Sequence, residues 1–335
     1  MAGEAEDGAR TVTLADVARA AGVGESTASR VLRGHGSFSA KTREIVLAAA
    51  RDLGYVPNRI AGTLASTGSR LVGIVIPSLS NIVFPDLLRG ANNVLVAAGF
   101  QPVIAVTDYD LEREESVIES LLSWRPAGIM VAGLEHSERA AARLRGARGR
   151  VAELLDTDGE GIDIVVGFSN REAGRAAGRH LASRDFRRIG YVGHDVGRDL
   201  RAAKRLAGFR EALGEAGLHI ADEEIVPAPS SIQAGRDGLA RLRERRPELD
   251  AVYFSNDDMA IGGYFHCLAR GIAVPGGLAI FGHNGLDVAR CAPQPLTTIL
   301  TPRVAVGEMG ARLVCADGPP TRVDLGFELI EGATT

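Results

Sequence analysis

From Leu71 onward one pattern repeats: a short apolar run of strand character, then a stretch long enough for a helix, then another run. The runs are Leu71–Ile76, Pro102–Val106, Gly128–Val131, Ile164–Phe168, Ile189–Val192, Ala251–Phe254 and Leu278–Phe281. Strands alternating with helix-length segments make βαβ units, so the expected fold class is α/β with parallel sheets. Phe84–Ala98, Asp110–Trp124, Arg171–Ser183 and Lys204–Gly214 supply crossover helices, the second with Val117, Ile118, Leu121 and Leu122 on one face. The runs suffice for two open sheets, divided near Ser169.

The opening of the chain reads differently. Thr13–Arg33 forms two short helices around a glycine-centred turn, a helix-turn-helix. Thr13 can cap the first helix, Leu14, Val17 and Ala18 recur at helical spacing, and Gly22 can take the positive φ of the turn. Ala28, Val31 and Leu32 give the second helix a buried face. Glu25, Ser26, Ser29, Arg30 and Arg33 stay exposed, short polar and cationic side chains that suit base edges and phosphates in a major groove. A third helix is capped by Ser39, carries Ile45, Val46, Ala49 and Leu53, and ends at Gly54. Asn58–Ser66 has helical potential, but it is short, and Gly62 costs about 1 kcal/mol relative to alanine. Such a segment is expected to order only with a partner. The expected organisation is a disordered tail at 1–10, a headpiece at 11–57, a hinge at 58–70 and a body at 71–335. The body's lobes comprise 71–169 with 300–325, and 170–299 with the C-terminal strand.

Charge follows this division. Residues 11–70 carry eight Arg or Lys against four acids, and the first ten residues three acids and one Arg. With a chain total of −4, residues 71–335 hold −6. A basic front on an acidic body fits a DNA-binding module fused to something else. No run approaches the roughly 18 apolar residues of a membrane span, and the first ten residues lack the apolar segment of an export signal. Cys267, Cys291 and Cys315 are odd in number and widely spaced. They read as reduced thiols of a cytoplasmic protein, with neither a zinc site nor a disulfide framework.

The headpiece, Tyr55-Val-Pro-Asn58, Leu64, Arg205-Leu-Ala-Gly-Phe209, Ser255-Asn-Asp-Asp-Met259 and Pro295-Leu-Thr-Thr-Ile299 together resemble the lac/galactose repressor family over nearly the whole chain. Leu122-Ser-Trp-Arg125, Val166-Gly-Phe-Ser-Asn170, Leu300-Thr-Pro-Arg303 and Asp324-Leu-Gly-Phe327 are most similar to its gluconate operon repressor branch. The resemblance implies a homodimer, or a tetramer, on near-palindromic double-stranded DNA. Thr13, Glu25, Ser26, Thr27, Ser29, Arg30, Asn58 and Arg59 then face the operator. Glu25 either accepts from a cytosine amino group or turns to solvent or Arg33. Leu64 either packs on the body or enters a central base step and kinks the duplex through the minor groove.

The body is similar to periplasmic sugar-binding proteins, whose ligand lies between two lobes at the strand ends. Arg205 matches the family arginine that grips ligand oxygens; the competing reading is a surface salt bridge. Asn256 and Asp257 match its hydroxyl-binding pair, or else cap the next helix. His283 and Asn284 follow the Leu278–Phe281 strand. Asn284 stands where many members carry Asp, which removes a negative charge and, with Arg205 and His136, favours an acid. Ser78, Phe84, Tyr109 and Asp156 complete the effector candidates, each with an equally good structural role. Gly22-x-Gly24 follows a helix and lacks the third glycine of a dinucleotide fingerprint, and no catalytic constellation or cofactor motif is present. The expected function is a sugar-acid-responsive repressor released from its operator by ligand. A regulator using its ligand as co-repressor, a solute-binding protein without a DNA role and a sugar-modifying enzyme are the alternatives.

Overall fold

The computed structural model describes residues 11–34, 36–56 and 69–335, and the chain divides into two compact units between residues 67 and 68. The tail 1–10 and the hinge candidates Asn58, Arg59 and Leu64 lie outside the described residues.

In the first unit α1 (Leu14–Ala20), α2 (Glu25–Leu32) and α3 (Ala40–Asp52) enclose Val17, Ala18, Ala21, Ala28, Val31, Val46 and Ala50. A reciprocal cap starts α1: the Asp16 N–H donates to Thr13 Oγ1 (3.4 Å) and the Thr13 N–H to Asp16 Oδ2 (3.0 Å). Gly22 turns the chain at φ 65°. On α3 the buried row is Val46 and Ala50, while Ile45 and Leu53 are exposed. Val46 and the half-buried Ala49 belong to the expected set, and Ala50 packs inside in place of Ile45 and Leu53, a choice that apolar spacing does not resolve where neighbouring positions are all apolar.

The second unit holds two six-stranded sheets. The first contains β1 (Leu71–Ile76), β2 (Gln101–Val106), β3 (Gly128–Ala132), β4 (Arg150–Leu154), β5 (Ile164–Gly167) and β11 (Thr321–Asp324), in the order β11-β5-β4-β3-β1-β2 and wholly parallel. The second contains β6 (Ile189–His194), β7 (Ile220–Val226), β8 (Ala251–Phe254), β9 (Ala279–Asn284), β10 (Thr297–Leu300) and β12 (Glu328–Ile330), in the order β12-β10-β9-β8-β6-β7, with only β12 antiparallel. The chain crosses between sheets after β5, after β10 and after β11. β4 and β7 lacked an apolar signature because β4 carries Arg150 and Glu153, and β7 is a half-exposed edge strand with three acids.

The helices are α4 (Val83–Ala97), α5 (Leu111–Ser123), α6 (Glu138–Arg145), α7 (Asn170–Ser183), α8 (Leu200–Glu215), α9 (Ile232–Arg245), α10 (Asp257–Arg270), α11 (Asp287–Arg290) and α12 (Arg303–Val314). Three pairs of them meet backbone to backbone through reciprocal glycines. A Cβ at Gly174 of α7 would lie 1.9 Å from the Arg205 carbonyl oxygen, and one at Gly208 of α8 would lie 1.9 Å from that of Arg171. Gly90 and Gly307 relate α4 to α12 in the same way, and Gly235 and Gly262 relate α9 to α10. At each contact the obstacle is a carbonyl, which cannot swing aside as a side chain can.

Gly208→Ala therefore separates α7 from α8 and is expected to cost about 1–3 kcal/mol of stability, the range for overpacking a closed interface. Gly262→Ala carries a similar cost between α9 and α10. Urea unfolding curves of the two variants check both, and unchanged midpoints would remove the argument.

Candidate functional site

The carboxyl ends of the strands of both sheets converge on a cleft between the lobes of the second unit. Its inner chamber is walled on one side by Asn81, Phe84, Leu155 and Phe168 and on the other by residues of the second lobe. β6 ends at His194, β8 leads into Asn256, and β9 ends at His283 and Asn284. Asp199 caps α8 by accepting the Ala202 N–H (3.2 Å), which sets Arg201 and Arg205, four residues apart, on one face of that helix toward the chamber.

Each charged group has a defined posture. Arg205 is buried; Nη1 donates to Asn170 Oδ1 (2.9 Å), Nη2 reaches the Ser255 carbonyl (3.4 Å), and Nε has no hydrogen-bond partner among the described residues. The surface salt-bridge reading of Arg205 thus fails. The Arg201 guanidinium lies 5.3 Å from the Phe84 ring centre, a cation–π contact from one lobe to the other, and 3.7 Å from Asp199. Burial by itself raises the pKa of Asp199, but Arg201, the His194 hydrogen bond and Arg205 outweigh it and hold the carboxyl well below the ordinary range. His283 is wholly buried without a partner on either ring nitrogen among the described residues, and burial together with Arg205 and Arg303 keeps it unprotonated. Leaving a buried polar group unpaired costs about 1–3 kcal/mol. Two arginines thus face one carboxylate in the chamber, which complements a ligand carrying one negative charge.

The backbone is strained here as well. Six described residues other than glycine have positive φ, and Asp108 (55°), Tyr109 (59°), Leu155 (70°) and Asn284 (111°) line the chamber or the recess beside it. Strain concentrated in a cleft accompanies function more often than packing.

Of the sequence candidates, Phe84, Arg205, Asn256, His283 and Asn284 line the chamber, and Ser78 and Tyr109 line the adjoining recess. Tyr109 accepts from Asn81 Nδ2 (3.4 Å) and meets Phe84 edge-on, with burial pushing its hydroxyl up to about 12. Asn256 caps α10 by accepting the Met259 N–H (3.1 Å), the second of its two anticipated roles, and it also lines the chamber. Three candidates are corrected. Asp257 is buried with both oxygens spent inside the fold, on the Leu286 N–H and the Thr298 hydroxyl (2.7 Å each). Asp156 accepts from Lys204 Nζ (2.6 Å) of α8, which also meets Glu135, so it ties the lobes together at the rim. His136 is enclosed by Glu114 (2.7 Å) and Glu153 (3.3 Å) beneath the cleft and does not line it. The sequence reading missed Asn81, Asn170, His194, Asp199, Arg201 and Thr301. The strand-end rule that found His283 would have flagged His194, and the i, i+4 spacing from Arg205 would have flagged Arg201.

In the first unit Glu25, Ser26, Arg30 and Arg33 are exposed on α2, with Thr27 and Ser29 half-exposed. Arg33 donates to Ser29 Oγ rather than to Glu25, and Arg30 lies over Phe38, 5.7 Å from its ring centre. Among the described residues no helix is long and apolar enough to cross a membrane, and no cluster of three or more His, Cys, Asp or Glu could hold a metal ion.

Residues 13–58 match the family model for bacterial regulatory proteins of the lacI family, and residues 179–335 match that for a periplasmic binding protein-like domain. The chain is 38% identical over 330 residues to the HTH-type transcriptional regulator GntR of Pseudomonas aeruginosa, spanning 96% of this chain and 95% of that one. It is 34% identical over 331 residues to the regulator IdnR of Escherichia coli, spanning 96% and 98%. A solved LacI family regulator from Silicibacter pomeroyi superposes with a TM-score of 0.92 at 44% identity, covering 96% of this chain and 99% of that one.

The His136 cluster makes stability depend on pH. Burial alone would lower the pKa of His136, but the hydrogen bonds its ring donates to the Glu114 and Glu153 carboxylates raise it from 6.5 to about 9. A raised folded-state pKa gives stability that is complete below pH 6.5 and is lost as pH rises through 9. Denaturation at fixed ionic strength should show a fall on the order of 3 kcal/mol across that window, and His136→Gln, less stable at pH 6, should flatten it. A flat wild-type profile would contradict the assignment.

Proposed function

Because this chain belongs to the lacI family of bacterial regulatory proteins, we propose that it represses genes for the uptake and breakdown of gluconate or a related sugar acid, and that the acid, bound between the lobes, releases it from DNA. The chain is a DNA-binding transcriptional regulator. We take it to be a dimer whose two recognition helices occupy successive major grooves, which makes its operator a near-palindrome. Thr13, Glu25, Ser26, Thr27, Ser29 and Arg30 are the residues proposed to face that operator, joined by Asn58, Arg59 and Leu64.

One observation carries the choice of effector: Arg201 and Arg205 face the single carboxylate of Asp199 in the chamber. A neutral sugar would leave that excess positive charge buried and uncompensated, whereas a monocarboxylate balances it. A regulatory role without catalysis suits this chamber, since Ser255, the hydroxyl beside His194, is buried and turned toward Met259 Sδ (3.4 Å). A cytoplasmic location accompanies the DNA-binding role.

Operator and effector favour different states, so each weakens the other by one factor, typically about 5–150-fold. Fluorescence anisotropy with a palindromic operator selected from random sequence should show gluconate or a related aldonate lowering affinity by that order. Arg205→Ala should abolish the response, and deletion of residues 1–66 should abolish operator binding. If the acid tightened binding the co-repressor reading would stand instead, and thermal stabilisation by neutral sugars but not acids would overturn the effector class.

A further inference from the structure

We infer that His283 reads a hydroxyl of the ligand, so that the chamber selects hydroxylated carboxylates over plain ones. This rests on the sugar-acid reading and assigns the division of labour within it. His283 is wholly buried at the end of β9 and lines the chamber, yet neither Nδ1 nor Nε2 finds a hydrogen-bond partner among the described residues. The other imidazole of the chamber behaves differently. His194 Nδ1 meets Ser255 Oγ at 3.1 Å, and Nε2, though without a hydrogen bond among the described residues, lies 3.4 Å from the Asp199 carboxylate, so one nitrogen is bonded and the other is paired with a charge of the fold. Buried polar groups in native proteins are satisfied, and those that the fold leaves over are satisfied by what the site holds.

The chemistry follows from which atoms are spare. A neutral imidazole offers one N–H donor and one lone pair, whereas a guanidinium offers donors only. A carboxylate accepts only; it matches Arg201 and the free Nε of Arg205, and at His283 it could take the N–H alone and would leave the ring's lone pair without a donor. A hydroxyl both donates and accepts, and so satisfies either nitrogen of the ring. The arginines therefore take the acid and His283 an alcohol group of the same molecule. Asn284, beside it with φ 111°, holds the end of β9 in place through its carbonyl, which accepts from Arg303 Nη1.

The test is calorimetric titration of the full chain with gluconate and its set of monodeoxy analogues. The wild type is expected to bind one analogue about 10–100-fold more weakly than gluconate, because the missing hydroxyl leaves a buried nitrogen of His283 unpaired. His283→Phe should weaken gluconate by the same factor and no longer distinguish that analogue, while His283→Gln, which keeps a donor and an acceptor, should restore part of the discrimination. If His283→Phe kept the wild-type preference across the whole deoxy series, the inference would be overturned, whatever the absolute affinity. Should a neutral hexose bind and gluconate not, the sugar-acid reading falls while His283 is judged on the deoxy series of that hexose. Binding of neither class overturns both.

Discussion

The approach of α8 to α7 is the constraint on which the cleft depends. Two helices whose backbones touch at Gly174 and Gly208 cannot slide or roll without driving a carbonyl into its neighbour. That contact fixes the face of α8 that bears Arg201, Lys204 and Arg205, the first and last lining the chamber and the middle one bound to Asp156 of the opposite lobe. Ligand recognition and lobe docking are thereby written on one rigid element. The arginines that line the chamber and the lysine that docks the lobes lie within about one helical turn of each other, with no intervening flexible segment.

Charge burial in the cleft follows from the same rigidity. Asp199, Arg201 and Arg205 are each less than a tenth exposed, and isolated ions so deep in a protein would be costly. They persist because each is bracketed: Asp199 by Arg201 and His194, Arg201 by the face of Phe84, Arg205 by Asn170. The chamber atoms without a hydrogen bond among the described residues, both nitrogens of His283, the Arg205 Nε and His194 Nε2, are the part that the fold leaves to its ligand. Positive φ at Leu155 and Asn284 sits against these same groups.

Much of this was legible in the sequence, and the gaps have physical reasons. Uniformly apolar runs announced the central strands, where both faces are covered. β7 escaped notice because an edge strand with three acids has no such signature, and on α3 the apolar Ile45 and Val46 side by side did not show that only Val46 is buried. Strand-end polar residues were the right place to look for the cleft, and Arg205, Asn256, His283 and Asn284 do line it. His136, Asp156 and Asp257 failed as ligand groups because each spends its charge on a partner brought from elsewhere in the chain, Glu114, Lys204 and Thr298 in turn. Pairing between distant residues is a property of the folded chain, and one-dimensional spacing does not encode it.

The threefold crossing between lobes bears on how the chain is made. The first sheet lacks its edge strand β11 until residues 321–324 have been synthesised, and β10 lacks its antiparallel neighbour until residues 328–330 follow. α12, which closes the glycine contact with α4, also comes late. The two sheets are therefore completed only by residues 321–324 and 328–330, long after their central strands have been made. The headpiece, a contiguous segment with its own core, has no such wait. During translation a segment with its own core is thus carried on a body whose sheets are still incomplete.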